Sequence, residues 1–202
     1  MLNDAVFVCT LTKKIYDING DFFGVDKGAL FLAKNNIEME VAIGDFDSIE
    51  EFEFNLIKRY AKKIIKLNKN KDVSDSQAAI DIAVKMKYKN GVIIGGTGKR
   101  FDHTYVNLIN LYREDINLSM IDDNNLIYTL NEGKHKIDKN SYSYISIFAE
   151  NKAEVSISNV LYPLKNYEIK KDNLIGLSNE IIEDHAELTI HKGKVLIILS
   201  ND

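Results

Sequence analysis

The spacing of apolar residues divides the chain into two parts. In the first part, short apolar runs alternate with segments whose apolar residues recur at helical spacing. The apolar runs predict strands at 5–9, 21–26, 40–43, 63–67, 91–95 and 118–122. The helical spacing predicts helices at 28–36, 49–62, 74–87 and 102–114. Strands that alternate with helices of this length are typical of a mostly parallel sheet covered on both faces.

The second part contains short runs rich in Ile, Val, Tyr and Thr, separated by turn residues, and no convincing helix. These runs predict strands at 126–130, 134–137, 142–148, 153–157, 174–177, 186–190 and 195–199. The pattern is typical of an antiparallel sandwich or small barrel. We therefore predict the fold class α/β plus all-β. An N-terminal, mostly parallel α/β sheet domain spans 1–124, and a C-terminal antiparallel β-sandwich domain spans 125–202.

Composition excludes several classes of function. The chain has 202 residues, a net charge of -4 and one cysteine, Cys9. The negative charge argues against nucleic-acid binding, which usually needs a basic surplus, and a single cysteine excludes a disulfide within the chain. No apolar run is long enough to cross a bilayer, and the first residues lack the pattern of a signal peptide. We expect a cytoplasmic protein that binds neither nucleic acid nor a membrane.

Two carboxylates, Asp45 and Asp47, follow a predicted buried strand within the sequence Gly44-Asp45-Phe46-Asp47-Ser48. Like charges this close repel each other unless a cation or a group of donors lies between them. An acidic turn before a helix is the competing interpretation, and Ser48 with Glu51 matches a capping box. The pair alone does not decide between these interpretations.

Two more polar loops follow strands of the same predicted sheet. The first places Asp72 and Asp75 at a helix start, and the second is the glycine-rich segment 95–103, which contains Lys99 and Arg100. Ligands bind at the carboxyl edge of an open parallel sheet. Glycine amides and a helix N-terminus favour phosphate, and Mg²⁺ prefers a few carboxylates with phosphate oxygens and water. Together the loops predict a magnesium–nucleotide site.

Other kinds of site fail on their residue patterns. Ile93 and Arg100 stand where a P-loop requires glycine and Ser or Thr, and Phe101 replaces the third glycine of a dinucleotide-binding loop. The histidines show no zinc-like spacing, and no nucleophile-elbow serine is present. Taken singly, Asp75 is more often a helix N-terminal charge, and Arg100 is usually a surface charge. His103 alone fits a hydrogen-bonded first-turn histidine as well as it fits a substrate contact. Only their joint placement favours a functional role.

The motifs, in this order, resemble those of the thiamine pyrophosphokinase family over nearly the whole chain. Five segments carry the resemblance: Gly44–Ser48 (GDFDS), Lys71–Asp75 (K-D-x-T-D, with Ser74 for threonine), Gly98–His103 with Asn107 (G-G-R-x-D-H…N), Tyr162–Leu164 (Y-P-L) and Gly176–Glu180 (G-x-S-N-E). Two departures add long basic side chains. Lys27 replaces a glycine of the family's A-D-G-G-A, and Lys99 replaces the second glycine of G-G-R.

The resemblance implies transfer of a pyrophosphoryl group from ATP to the hydroxyethyl oxygen of thiamine, giving thiamine diphosphate and AMP. It also implies a homodimer whose sites lie between domains of different subunits, with ATP and thiamine as substrates and Mg²⁺ as cofactor. The implied roles are metal binding by Asp45, Asp47 and Asp75, nucleotide binding by Asp26, Lys71, Gly98, Arg100 and His103, and thiamine binding by Ser178 and Asn179 of the partner chain. Asp72, Asp102 and Arg100 are the implied catalytic residues, and either aspartate could take the proton of the hydroxyl group.

Two alternative functions are compatible with parts of the sequence. A related pyrophosphokinase acting on another heterocyclic alcohol, such as a pterin, would keep the aspartate loops, but Ser178 and Asn179 argue against it. A non-catalytic thiamine- or nucleotide-binding regulator would be expected to lose the metal carboxylates, and Asp45, Asp47 and Asp75 are all present. The cationic charge of thiamine also suits an acidic cleft.

Overall fold

The computed structural model describes residues 4–68, 72–98 and 100–202. The chain divides into two compact units, Met1–Asp122 and Asp123–Asp202. Each unit buries its own group of apolar side chains. No helix in the described part of the chain has the length and hydropathy needed to span a membrane.

The strands of the first unit form a parallel array, as the alternating pattern predicted. They are β1 (Asp4–Val8), β2 (Gly20–Val25), β3 (Met39–Gly44), β4 (Ala61–Lys66), β5 (Asn90–Ile94) and β6 (Asn117–Ile121). They lie in the order β4-β3-β2-β1-β5-β6, and every pairing between them is parallel. Strand β1 is therefore central, and its residues Ala5 to Val8 are fully buried.

Four helices connect these strands: α1 (Lys27–Lys34), α2 (Glu51–Tyr60), α3 (Asp75–Lys85) and α4 (Phe101–Asn110). Helix α1 buries apolar side chains that recur at helical spacing, among them Ala29, Leu32 and Ala33. Helix α4 instead buries Asn107 and Asn110. Ser74 caps α3 by accepting a hydrogen bond from the Gln77 backbone N–H at 3.2 Å. Serine is among the residues preferred at this capping position.

The start and end of α2 differ from the prediction. Its capping box uses Glu50 and Glu53 rather than Ser48 and Glu51, because residues 47–49 form a turn that delays the first helical residue. The helix ends at Tyr60 and not at Lys62, since Ala61 already pairs with Met39 of β3. Tertiary pairing of the next strand thus overrides the helical propensity of the last two residues.

The second unit consists of antiparallel strands, as predicted. They are β7 (Asn125–Leu130), β8 (Gly133–Asp138), β9 (Tyr144–Ala149), β10 (Lys152–Ser158), β11 (Leu164–Lys170), β12 (His185–Lys192) and β13 (Val195–Ser200). Strand β13 pairs with β7 and β9, and the other four lie in the order β11-β10-β12-β8. The side chains of these two groups of strands pack into one core. Strands β9 and β13 contribute Ile147 and Ile197 to it, and strands β10 and β12 contribute Val155 and Leu188. The unit is therefore a β-sandwich.

One predicted strand in this unit was wrong, and one observed strand was not predicted. Residues 174–177 form turns, and Leu174 and Leu177 are 58% and 54% exposed in spite of their apolar character. Strand β11 was missed because only Ile169 of its seven residues is buried. It lies at the end of its group and pairs only with β10, and an edge strand of this kind lacks the alternating apolar pattern.

Candidate functional site

The chain order of the first unit creates a crevice beside its central strand. From β1 the chain builds β2, β3 and β4 on one side, and α3 then carries it to β5 on the other side. Ligands of open parallel sheets bind outside the carboxyl ends of the strands at such a switch point. A cavity of about 300 Å³ lies there. Its lining residues are Cys9, Thr10, Leu11, Val25, Asp26, Ser74, Asp75, Ser76, Gly95, Gly96, Gly98, Arg100, His103, Thr104 and Asn107.

The structure brings only some of the predicted site residues together. Asp26, Asp75, Gly98, Arg100 and His103 line the cavity. The other four carboxylates, Asp45, Asp47, Asp72 and Asp102, are not part of the lining, although each follows a strand end or begins a helix at the same edge of the sheet. Lys71 and Lys99 lie outside the described residues.

Asp26 links the loops that follow β2 and β3. Its Oδ1 accepts the backbone N–H of Phe46 at 3.3 Å, and its own N–H donates to Ile43 O at 2.8 Å. A Cβ at position 44 would lie 2.7 Å from Asp26 Oδ1, so only glycine leaves room for the carboxylate. Asp26 and Phe46 both have left-handed φ angles, 55° and 56°. Such strain in non-glycine residues is concentrated at functional sites.

A chain of buried side chains connects the start of α3 to the glycine-rich loop. Ser76 Oγ donates to Asn107 Oδ1 at 2.8 Å, and Asn107 Nδ2 donates to Gly96 O at 2.8 Å. Ser74 Oγ lies 3.1 Å from Ser76 Oγ. Ser76 and Asn107 are only 9% and 5% exposed. The hydrogen bonds fix the loop after β5 against the helix that begins beside Asp75.

The glycine-rich loop is also held at its far end. The backbone N–H of Gly98 donates to Thr104 Oγ1 at 3.2 Å, and Thr97 Oγ1 donates to Asp122 Oδ2 at 2.8 Å. Side chains on three sides therefore set the course of residues 96–98. A loop fixed in this way can present backbone amides to an anion without further ordering.

Arg100 and Asp102 form an exposed, two-pronged ion pair at the mouth of the cavity. Arg100 Nε donates to Asp102 Oδ1 at 3.2 Å, and a second bond joins the guanidinium to Oδ2. The Arg100 guanidinium lowers the pKa of the Asp102 carboxyl, and the hydrogen bond from the His103 backbone N–H acts in the same direction. Asp102 is therefore a weaker base than an isolated aspartate.

Cys9 contributes a thiol to the cavity wall. Burial, and secondly the negative charge of Asp75, raise the pKa of the thiol to about 12. The thiol is thus neutral at physiological pH. Its chemistry is that of a buried core thiol, although it lies in the cavity wall.

The carboxylates do not converge on a ready-made metal site. Within the described ranges, no group of three or more His, Cys, Asp or Glu side chains is placed to hold a metal ion. Asp45 Oδ1 instead accepts the backbone N–H of Asp47 at 3.1 Å. The donors are hard oxygens on neighbouring loops, which fits a cation completed by substrate phosphates and water rather than one enclosed by protein.

The predicted thiamine residues lie in the second unit, in the turn before β12. Ser178 is exposed and has a left-handed φ of 53°. Asn179 is buried, and its side chain is committed to the backbone. Its Oδ1 accepts the N–H groups of Tyr162 and Glu180, and its Nδ2 donates to Tyr162 O. The structure thus gives these two neighbours different surroundings.

Comparison with known families assigns both units. The model of the thiamin pyrophosphokinase catalytic domain matches residues 20–121, and that of the thiamin pyrophosphokinase vitamin B1 binding domain matches residues 134–195. The chain belongs to the thiamin pyrophosphokinase family. A relative described as thiamine pyrophosphokinase, from Bacillus subtilis, is 33% identical over 187 residues, which cover 90% of this chain and 87% of the relative.

Solved structures related to thiamin pyrophosphokinase share the complete fold. The crystal structure of thiamine pyrophosphokinase from Bacillus subtilis has a TM-score of 0.86 at 29% identity and covers 98% of both chains. A thiamin pyrophosphokinase family protein from Enterococcus faecalis has a TM-score of 0.88 at 24% identity, with 98% of this chain and 99% of that chain covered. The α/β plus β-sandwich architecture is therefore that of the family.

In this thiamin pyrophosphokinase family member, sequence reasoning missed part of the cavity wall. Residues 9–11 follow the first strand but carry no charged or glycine-rich pattern, so only the strand order reveals their position. Ser76 lies one residue beyond the Lys71–Asp75 motif. The segment of three hydroxyl or carboxyl residues at 74–76 marks a helix cap but does not indicate which distant amide Ser76 will meet.

Proposed function

We propose that the protein transfers the pyrophosphoryl group of ATP to the hydroxyethyl oxygen of thiamine, giving thiamine diphosphate and AMP. The observation that carries the proposal is the presence, in order on one chain, of matches to both the catalytic and the vitamin B1 binding domain. The cavity at the switch point supports it, since it is bounded by a glycine-rich loop, a helix N-terminus and charged side chains.

In this proposal each domain binds one of the two substrates. Residues 1–124 form the catalytic domain that binds ATP, and residues 125–202 form the domain that binds thiamine. The compact units of the structure and the ranges of the two family matches support this division.

We place the nucleotide at the cavity of the first unit. The Gly95–Gly98 backbone and the start of α4 face the phosphate chain, to which Arg100 and His103 add donors. Asp26 and Lys71 complete the nucleotide-binding set. The support is that Asp26, Gly98, Arg100 and His103 all line one cavity, and that the loop is held rigidly by Asn107 and Thr104. Backbone amides at a helix start are suited to bind phosphate.

Mg²⁺ is the proposed cofactor, held with the ATP phosphates by Asp45, Asp47 and Asp75. Bound there, the cation neutralises charge on the phosphates and polarises the phosphorus under attack. The chain's own contribution is to keep carboxylates on two neighbouring loops while the phosphate oxygens complete the coordination. Asp45 and Asp47 follow β3, and Asp75 begins α3 beside the cavity.

The reaction needs alignment and charge neutralisation rather than a protein nucleophile. The hydroxyl oxygen of thiamine attacks the β-phosphorus, the bond from the β-phosphorus to the α–β bridging oxygen breaks, and AMP leaves. Of the two candidate bases, we favour Asp72 for removing the hydroxyl proton. The Arg100 guanidinium already occupies both oxygens of Asp102 and lowers its pKa. In this proposal Arg100 donates hydrogen bonds to the phosphates, and Asp102 orients the Arg100 guanidinium through their ion pair.

Thiamine is proposed to bind through Ser178, with Asn179 in support, in a site completed by the partner subunit of a homodimer. Exposed apolar residues around Ser178 support an interface at this end of the second unit, because Leu174, Ile175 and Leu177 are 58%, 47% and 54% exposed. A cytoplasmic location belongs to the same proposal, since ATP is the phosphoryl donor.

The test is release of AMP from ATP with thiamine as the acceptor, with and without Mg²⁺. We expect AMP and thiamine diphosphate to form in equal amounts and only with the metal. If no AMP forms while thiamine still raises the melting temperature, the protein binds thiamine without catalysing the transfer, and the proposed function is wrong. If neither response occurs, the acceptor is wrong, and pterin alcohols are the next to be tried.

A further inference from the structure

The turn that carries Ser178 runs beside β9 as an irregular extra strand. Asn179 exchanges two backbone hydrogen bonds with Ile145, at 2.8 and 2.9 Å, and the Ile147 N–H donates to Gly176 O at 2.9 Å. Residue 145 thus pairs with residue 179, and residue 147 with residue 176. Regular antiparallel pairing would place residue 177 opposite residue 147. The segment therefore contains one extra residue, which is the geometry of a bulge.

The bulge leaves the backbone N–H of Ser178 without a place in the ladder. That N–H donates to the hydroxyl of Ser146 at 3.0 Å. Ser146 is only 5% exposed, and its neighbours Ile145 and Ile147 face the sandwich core. Its hydroxyl therefore lies on the opposite face of β9, towards the bulge. A buried backbone donor without an acceptor is costly, so this hydroxyl stabilises the irregular course of the turn.

The same bulge holds Ser178 in a demanding conformation. Its φ of 53° is one that side chains other than glycine rarely adopt. A Cβ at position 176 would lie 2.3 Å from Ile147 O, so the bulge can begin only at a glycine. On the other side, the Asn179 side chain fixes the backbone of Tyr162. Ser178 is thus exposed on a turn that is held by hydrogen bonds to Ser146, Ile147 and Tyr162.

We propose that Ser146 is a positioning residue for thiamine, because its buried hydroxyl holds the bulge that presents Ser178. The inference rests on the proposed function, in which Ser178 contacts thiamine. In this inference Ser146 acts through the orientation of Ser178, whose backbone N–H donates to its hydroxyl.

The chain offers a matched control. Ser156 also accepts the backbone N–H of a residue with left-handed φ, Asn166 (φ 46°), at 2.9 Å. It likewise lies at an irregularity, the register shift between β10 and β11. Ser156→Ala therefore removes a hydrogen bond to a backbone N–H of the same kind from the other half of the sandwich. It also removes the contacts of the Ser156 hydroxyl with Asn166 Oδ1 and His191 Nε2, so it perturbs its own surroundings at least as much as Ser146→Ala does.

The experiment compares steady-state kinetics of Ser146→Ala and Ser156→Ala with the unaltered protein. We expect Ser146→Ala to raise the KM for thiamine about tenfold, the change that one hydrogen bond supports. Its kcat and its KM for ATP should stay within about twofold, because uniform binding is lost rather than transition-state stabilisation. Ser156→Ala should leave the KM for thiamine unchanged. Equal effects of the two variants, or none for Ser146→Ala, would overturn the proposal.

A double variant tests whether Ser146 acts through Ser178. Ser178→Gly removes the hydroxyl but accepts the left-handed backbone, so its KM for thiamine should also rise. Adding Ser146→Ala to Ser178→Gly should then have little further effect. If the two effects multiply, Ser146 does not act through Ser178. Should Ser146→Ala fail to fold, Ser146→Cys keeps a weak acceptor and should give a smaller rise in the KM for thiamine, while an unchanged KM would count against the proposal.

Calorimetric titration with thiamine alone separates this inference from the proposed function. If the unaltered protein binds thiamine but releases no AMP, the proposed function fails, and the inference is judged by the dissociation constants of the same variants. Weaker binding by Ser146→Ala, but not by Ser156→Ala, would still support it. If the unaltered protein does not bind thiamine, the inference fails together with the proposed function.

Discussion

Replacing Asn107 by alanine tests how the glycine-rich loop is held. Asn107 is 5% exposed and makes two hydrogen bonds of 2.8 Å, one from Ser76 Oγ and one to Gly96 O. Its truncation leaves the Gly96 carbonyl without this donor in a buried position. The Ser76 hydroxyl loses less, because Ser74 Oγ lies 3.1 Å away and can take its place.

The expected loss follows from these contacts. A buried carbonyl that loses its donor costs about 1–3 kcal/mol, and the space left by the amide adds about 1 kcal/mol. Together they lower the free energy of unfolding by about 3 kcal/mol. In a chain of this size, each kcal/mol corresponds to about 2–4 °C. We therefore expect the melting temperature to fall by about 6–12 °C.

Asn110 is the control on the same helix. It is also 5% exposed, but its Nδ2 has no hydrogen-bond partner among the described residues. Asn110→Ala therefore creates a similar space without breaking a hydrogen bond at that nitrogen, and should cost about 1 kcal/mol or less. The assay is thermal unfolding of both variants, together with the KM for ATP, which should rise only in Asn107→Ala. Equal losses of stability in the two variants would refute the assignment of two strong hydrogen bonds to Asn107.

Three other predictions concern the carboxylates, the subunits and the thiol. Asp47→Asn should lower turnover by orders of magnitude and leave the fold intact, because the proposed function makes Asp47 a metal ligand. Unchanged magnesium-dependent AMP release would contradict that role. Mixing Ser178→Ala with Asp47→Asn chains should restore activity through heterodimers with one intact site, and no recovery on mixing would exclude a site shared between subunits. The Cys9 thiol, whose pKa is raised to about 12, should resist iodoacetamide at pH 8 in the folded protein and react in denaturant. The ordinary pKa of the thiol is 9.0, and burial raises it to about 12 in the folded protein. The unfolded thiol therefore ionises first, so its contribution to stability is complete below pH 9 and is lost as the pH rises towards 12. Cys9→Ala should make stability less dependent on pH in that range, and rapid labelling of the folded protein would contradict the burial.

The sequence allowed the architecture to be predicted because each element carries a local pattern. Apolar periodicity located the four helices and most strands, and the polar loops at strand ends located the edge of the sheet where the cavity lies. The prediction failed where contacts with neighbouring segments, rather than the local pattern, determine the secondary structure. Strand β11 buries only Ile169, and the apolar residues 174–177 lie in exposed turns.

The site was predictable only as a set of loops. Which loops meet depends on the strand order, and the central place of β1 brings Cys9–Leu11 opposite the loop after β5. Ser76 and Asn107 are 31 residues apart in sequence, and their contact follows from the packing of α3 and α4. Ser146 has no local signature either, since its hydroxyl accepts a hydrogen bond from Ser178, which is 32 residues away in sequence.

The strand order also sets the stage of folding at which the cavity forms. Strands β1 to β4 can pair soon after they are made, but β1 meets its other neighbour only when β5 is available, and Ala5 then pairs with Gly91. Contacts of such long sequence separation are slow to form, because the loop that joins them must first be closed. A chain arrested before Asn90 would already hold Asp26, Asp45 and Asp75 and yet lack half of the cavity wall. If the nucleotide binds at this cavity as proposed, it can stabilise the protein only after residues 90–122 have joined the first unit. Ligand binding would then favour chains in which the pairing of β1 with β5 is complete.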